Sequence, residues 1–497
     1  MSCEGEPLSE DLHARLKRLR REGEPTAPDK GTGVQPRRTE ARAGEGPELP
    51  DDAGSTAPRR SGAGRALPPW VGRRLGRRGS VGTALAGGDA GTGQRASAAD
   101  RWVEPATLTP RATGMPAALH LETGPVGDFA ARIESFSDSS SHGDWVLSEI
   151  DACDSDAFAL LCGDAALAGL DPRDCVYLDT ETTGLGGGAG VYVYMIGLGY
   201  FEGDDFRLWQ GFLRDPGEER ALLTEAARLV RARSGVVSFF GKSFDRHRLD
   251  DKMAICGVDS PFDDRPHLDL YHPFQRLTRG ALADGRLATM ESTLCGLARE
   301  DDLPGALAPE AWFDFLAGRA HRLEGVFRHN RDDVLSLVTL AAYLGRVLVE
   351  SRVDGSVLPG PAAARARGIA RSHSDQGERR LALEWVERAV GRESASGRAP
   401  GRDLLFSRAE LLRHLAEYTA ALAAYAALDG VADRFALRGL IERAKILEHR
   451  SKDPARALKA CRAALDLVPA ALPGRLDQRR MRKELDHRAA RLAGKLG

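Results

Sequence analysis

The sequence lacks any uninterrupted apolar run of membrane-spanning length, and Met1 is not followed by the charged-then-apolar pattern of a secretory leader. The expectation is a soluble protein with no membrane partner, and the cytoplasm is its natural compartment. Cysteine is scarce. Seven occur in 497 residues (Cys3, Cys153, Cys162, Cys175, Cys256, Cys295 and Cys461), scattered and never in a Cys-x-x-Cys pair. Neither a disulfide framework nor a structural zinc is indicated. Net charge is nearly absent too: Lys+Arg total 70 against Asp+Glu 72, a formal −2. Attraction to a polyanion must therefore be local. What is present is an ordinary globular composition, 42% hydrophobic and 29% charged, in a chain long enough for several domains.

Residues 1–106 are rich in Gly, Pro, Arg, Ala and Ser and lack sustained periodicity. They cannot bury enough apolar surface to offset ordering entropy, so a disordered arm is expected. One island, "SEDLHARLKRLRRE", places Leu12, Leu16 and Leu19 on one helical face behind Ser9. No acid lies between Ala53 and Gly88, while Arg59, Arg60, Arg65, Arg73, Arg74, Arg77 and Arg78 accumulate. Such an arm can touch phosphates. A solvated tail with no binding role is the reading we favour.

Residues 107–172 have a mixed pattern and are assigned only as a lead-in segment. From Arg173 the signals sharpen. "DCVYLDTE", "GVYVYMIGLGYF" and "DFRLWQGFL" read as strands, the last two joined as a hairpin. "PGEERALLTEAARLVRA" is an amphipathic helix, "GVVSFF" a buried strand, and "DRHRLDDKMAICG" a helix closed by Gly257. "EGVFRHNRDDVLSLVTLAAYLGRVL" is a long helix. Residues 173–352 thus form an α/β domain, a mixed sheet flanked by helices. Residues 360–497 look all-helical and weakly repetitive. Ala382, Val386 and Ala389 recur as Ala421, Tyr425 and Leu428, then as Ala457, Cys461 and Ala464. Pro469 falls where a tetratricopeptide repeat usually breaks its second helix.

Chemistry concentrates at "DTETTGLGGGAG". Residues two apart on a strand share a face, so Asp179 and Glu181 converge. Like charges at the end of a buried strand are costly unless a cation neutralises them, and hard divalent ions suit carboxylates. "GKSFD" places Asp245 at the start of a helix, beside Gly241 and Phe244. "FRHNRDDVLSL" places His329 and Asp333 four apart on one helix face. Each alone has a bland explanation: a solvated strand end, an N-cap, an intrahelical pair. "GVVSFFGKS" is not a phosphate loop, since Gly235 and Gly241 are one residue too far apart and the intervening residues are apolar.

Together, "LDTETTGLGGGAG", "GKSFD", "ATMESTLCGLAREDDLPG" and "HNRDDVLSL" resemble the YprB-like ribonuclease H-like family of predicted bacterial DEDD-type exonucleases, which often carry a tetratricopeptide-like tail. The resemblance implies a metal-dependent 3′→5′ exonuclease acting on DNA or RNA, probing a single-stranded end with two Mg²⁺ or Mn²⁺ ions. It implies Asp179 bridging both ions, Glu181 and Asp333 completing one, Asp245 holding the other, and His329 as general base. Lys242 and Arg246 flank the site and are candidates for steering the backbone. The family usually has Asn where Phe240 stands. The four-residue spacing makes Asp333, not Asp332, the expected ligand. The tail would recruit a protein partner or the substrate and not form the active site, and a chain ending near Pro359 is expected to keep the catalytic unit. The alternative is a catalytically weak or inactive nucleic-acid-binding or interaction protein acting through its helical tail. A polymerase-associated proofreading domain is set aside, because the chain after Pro359 leaves no room for a polymerase palm.

Overall fold

The computed structural model describes residues 116, 119–184, 190–299 and 302–496. All lie in one compact unit. The arginine-rich arm and its leucine island lie outside the described residues. Among the described residues, no helix is long and apolar enough to cross a membrane, and the six cysteines are free.

The chain opens with β1 (Leu119–Gly124) and β2 (Gly127–Ser137), then a small hairpin of β3 (Ser141–His142) and β4 (Trp145–Val146). Helix α1 (Ser155–Cys162) leads to β5 (Cys175–Thr182), β6 (Val193–Glu202) and β7 (Asp205–Phe212). Then come α2 (Glu219–Arg231), β8 (Gly235–Ser238), α3 (Asp245–Cys256) and β9 (His267–Asp269). Helices α4 (Tyr271–Leu277), α5 (Leu287–Leu294), α6 (Ala308–Leu316) and α7 (Leu323–Arg346) complete this part. The main sheet has the order β1-β2-β7-β6-β5-β8-β9. β5, β8 and β9 run parallel; every other pairing is antiparallel. The mixed sheet expected from the sequence is there, and it is three strands wider, with the short β9 at one edge. The lead-in segment supplies β1 and β2, whose mostly exposed edge strand carries little hydrophobic alternation.

Two glycines explain how α7 reaches the sheet. A Cβ on Gly197 would stand 2.3 Å from Asn330 Oδ1, and one on Gly199 would stand 2.6 Å from Val334 Cγ1. Bare backbone at both positions lets the helix lie directly on β6.

Seven helices follow: α8 (Ala362–Asp375), α9 (Arg379–Ala395), α10 (Arg402–His414), α11 (Tyr418–Ala426), α12 (Arg434–His449), α13 (Pro454–Ala471) and α14 (Arg475–Ala493). The recurring small residues seen in the sequence are buried. They sit on α9, on α11 with Leu428 just beyond its end, and on α13, the second helix of each successive pair. Pro469 does not break its helix; α13 continues past it to Ala471.

The separability of the tail is not supported. One apolar core runs from Trp145 through Tyr343 and Val347 into Ile369, Val386 and Leu412. Arg365 of α8 is fully buried and donates to Tyr343 Oη at 2.9 Å and Pro359 O at 3.0 Å. Gly368 packs onto the backbone of α4, where an added Cβ would lie 2.7 Å from Arg276 O. Burying a Leu or Ile side chain contributes roughly 1.5–3 kcal/mol, so exposing this seam exceeds what a domain can lose. A chain ending at Pro359 is expected to aggregate or melt without a cooperative transition. Differential scanning calorimetry of that chain checks it, and a sharp melt near that of the full chain would refute it.

Candidate active site

β5 ends on Asp179, Thr180 and Glu181, with Thr180 buried and the two acids half-buried on the alternate positions. In register, Asp179 pairs with Gly197 of β6, and Gly197 with Gln210 of β7. Asn330 of α7 fills the space over Gly197. Its Nδ2 donates to Asp179 Oδ2 at 2.8 Å, and its Oδ1 accepts from Gln210 Nε2 at 2.9 Å. Gln210, fully buried, also donates to Phe327 O at 2.8 Å. Two buried amides thus hold the Asp179 carboxylate from behind. Neither was anticipated from the sequence. Gly197→Ala should displace Asn330 and cost about 1–3 kcal/mol by overpacking. A melting-temperature drop of several degrees would register it.

Asp245 opens α3 as expected, but its side chain does not cap the helix. It accepts from Thr180 Oγ1 at 2.5 Å. The loop before it is pinned by Asp269, which accepts from the backbone N–H of Phe240 at 2.8 Å and of Lys242 at 3.1 Å. Phe240 has φ of 66°, a left-handed conformation that Asn tolerates and that is costly for a bulky side chain. Its ring packs on Tyr271, centroids 4.9 Å apart. Asn at this place would meet a backbone demand that Phe240 meets under strain. Lys242 reaches Asp164 at 3.4 Å, and Arg246 bonds Asp250 and Asp263. Both are engaged in local ion pairs.

On α7, His329 Nε2 lies 3.7 Å from Asp333 Oδ2. Asp332 turns away to Arg331, at 2.8 Å. A cation that the sequence reading overlooked stands here. Arg299, nearly buried, forks onto Glu291 at 2.6 and 2.8 Å and also bonds Asp333.

The electrostatics follow from crowding acids in a buried place. Burial, then the charges of Asp333, Asp245 and Glu181, push the Asp179 carboxyl well above the ordinary range. Burial raises Asp245 to about 6, against the hydrogen bond from Thr180. For His329, burial disfavours the imidazolium, yet the charge of Asp333, the Asp302 hydrogen bond and the charge of Glu181 outweigh it and carry the group to about 10.

Among the described residues, no three His, Cys, Asp or Glu side chains are drawn together into a ready-formed metal cage. The four acids instead sense one another through their fields. Their chemistry suits a hard divalent cation all the same: carboxylate oxygens, partial burial and mutual repulsion.

Residues 176–345 match the RNase_H superfamily model. Over 302 residues the chain is 30% identical to the uncharacterized protein YprB of Bacillus subtilis (strain 168), a match covering 60% of this chain and 70% of YprB. The chain belongs to the YprB family of ribonuclease H-like proteins. The superfamily match begins on β5 and ends in α7, so Asp179, Glu181, Asp245, His329 and Asp333 all fall inside it.

Proposed function

We propose that the chain is a divalent-metal-dependent nuclease and, more narrowly, a 3′→5′ exonuclease on single-stranded ends of DNA or RNA. One observation carries the reading: Asp179, Glu181, Asp245 and Asp333 lie in one buried field, with His329 beside Asp333. Asp179, Glu181 and Asp333, with Asp245 across Thr180, would hold Mg²⁺ or Mn²⁺, two ions in the reading we adopt. Bound there, the ions would neutralise charge developing on the attacking and leaving oxygens. An ion held by Asp333 and Glu181 would offset two of the charges that favour the imidazolium, and His329 would then be suited to take a proton from water. Family membership supports nuclease chemistry; the polarity and the roles of single residues are this proposal's own.

The test is full-length protein with Mg²⁺ or Mn²⁺ on 5′-labelled single-stranded DNA and RNA. A ladder shortening from the 3′ end is expected, and no hydrolysis with either metal would overturn the reading. A second reading has a specific observation behind it. Asp333 is bonded to Arg299, as in a binding module where a cation of the chain itself neutralises the acid. Tight oligonucleotide binding, unchanged by Asp179→Asn and without hydrolysis, would favour that module. Either reading leaves the helical region available to a protein partner. α8, α9, α10 and α12 enclose a cavity of about 350 Å³, with Val386, Leu404 and Leu411 buried along it and Arg371 and Arg438 exposed.

A further inference from the structure

The stretch Glu291–Asp302 carries part of the family resemblance, yet nothing above gives it a task. Its start is firmly held. Trp145 Nε1 donates to Leu294 O at 3.2 Å, and the Asp144 N–H donates to Cys295 O at 2.7 Å. The Glu291 carboxylate, 1% exposed, takes the two Arg299 bonds and a third from Ser336 Oγ of α7 at 2.6 Å. Arg299 is thereby fixed as a fork and cannot swing.

From that base, two groups reach the same ring nitrogen. Asp302 Oδ1 is 2.7 Å from His329 Nδ1, and Arg299 Nη1 is 3.4 Å from it. Their demands are opposite: a guanidinium only donates, whereas an ionised carboxylate only accepts. The shorter contact decides, so Nδ1 carries a proton and gives it to Asp302. Arg299 Nη1 in turn stands 3.6 Å from Asp302 Oδ2 and steadies that carboxylate. The opposite nitrogen, Nε2, is left directed at Asp333. Whether or not Nε2 is protonated, the ring has one orientation.

We propose that Asp302, braced by Arg299 and Glu291, is a positioning residue that holds His329 by Nδ1–H so that Nε2 addresses the carboxylate site. The consequence for turnover rests on the nuclease reading; the clamp itself does not. A carboxylate behind a working histidine fixes both its tautomer and its plane, and loss of such an outer partner typically changes activity about 10–100-fold.

The experiment uses full-length protein labelled with ¹⁵N-histidine. The unsubstituted chain should display a protected, low-field imidazole N–H, assigned to His329 by its loss in His329→Gln. Asp302→Ala should lose that resonance and lower kcat about 10–100-fold on a labelled oligonucleotide with Mn²⁺, leaving KM within about twofold. Asp302→Glu, which keeps a carboxylate acceptor, should restore part of both the resonance and kcat. The proposal fails if the unsubstituted protein shows no protected N–H, if Asp302→Ala keeps it, or if the resonance vanishes while kcat is unchanged. If the unsubstituted protein hydrolyses nothing, the nuclease reading falls, and the resonance alone decides the clamp.

Discussion

Asp179→Asn is expected to abolish phosphodiester hydrolysis, by a thousandfold or more, while raising the thermal stability of the ion-free protein at pH 7. Both effects have one cause. Half-buried Asp179 sits in the field of Asp333, Asp245 and Glu181, and its burial and their charges push its carboxyl well above the ordinary range. An acid whose folded pKa is raised contributes stability that is complete below its unfolded value and is lost as pH rises through the folded one. Asp245, raised from 3.8 to about 6, sets the window. The ion-free protein should melt progressively lower between about pH 4 and pH 7. Asn at 179 removes one of the repelling charges and keeps the shape, so the decline should flatten. Mn²⁺ should raise the melting temperature of the unsubstituted chain at pH 7 and raise that of the variant much less. Scanning fluorimetry across pH, with and without Mn²⁺, reads all of this. Hydrolysis that survives both the substitution and EDTA would end the metal assignment.

Asp333→Ala should be equally damaging to turnover, whereas Asp332→Ala should leave most of it. The two carboxylates are adjacent in sequence and serve different neighbours. Asp333 faces His329 across 3.7 Å and receives Arg299; Asp332 lies against Arg331. Removing Asp333 takes away a proposed oxygen ligand and one of the Arg299 acceptors. A loss on the order of a thousandfold in kcat is expected, as for groups that act only on the charge of the transition state. Parallel single-turnover assays of the two variants decide it. Inactive Asp332→Ala beside active Asp333→Ala would mean that the helix presents the other acid.

The parts of this site that were readable in the sequence are those with a period. Asp179 and Glu181 were visible because strand neighbours alternate, and His329 and Asp333 because a helix turn spans four residues. Asp245 was marked by its place between a strand and a helix. Asn330 and Gln210 had no such mark. Each is a buried polar residue whose partner lies far along the chain: Asn330 meets an acid 151 positions away. Burial of a lone amide leaves no repeat to detect. Arg299 and Asp302 were quoted as part of a resembling motif, yet their meaning depends on a loop path that composition does not encode. β1 was missed for the opposite reason: an edge strand with no buried side chain need not look like a strand at all.

The close seating of α7 on Gly197 and Gly199 has a mechanical consequence. That helix carries His329 and Asp333 in its first half, and at its other end Tyr343 accepts from Arg365 of the tail. It is one unbroken lever. From Arg346 back to His329 the rod measures about 26 Å at 1.5 Å per residue. A tilt of about two degrees about the tail end would carry the imidazole by roughly 1 Å, a displacement of the size that can cost a reaction about a hundredfold. The seam with the helical region and the acids thus share one unbroken helix.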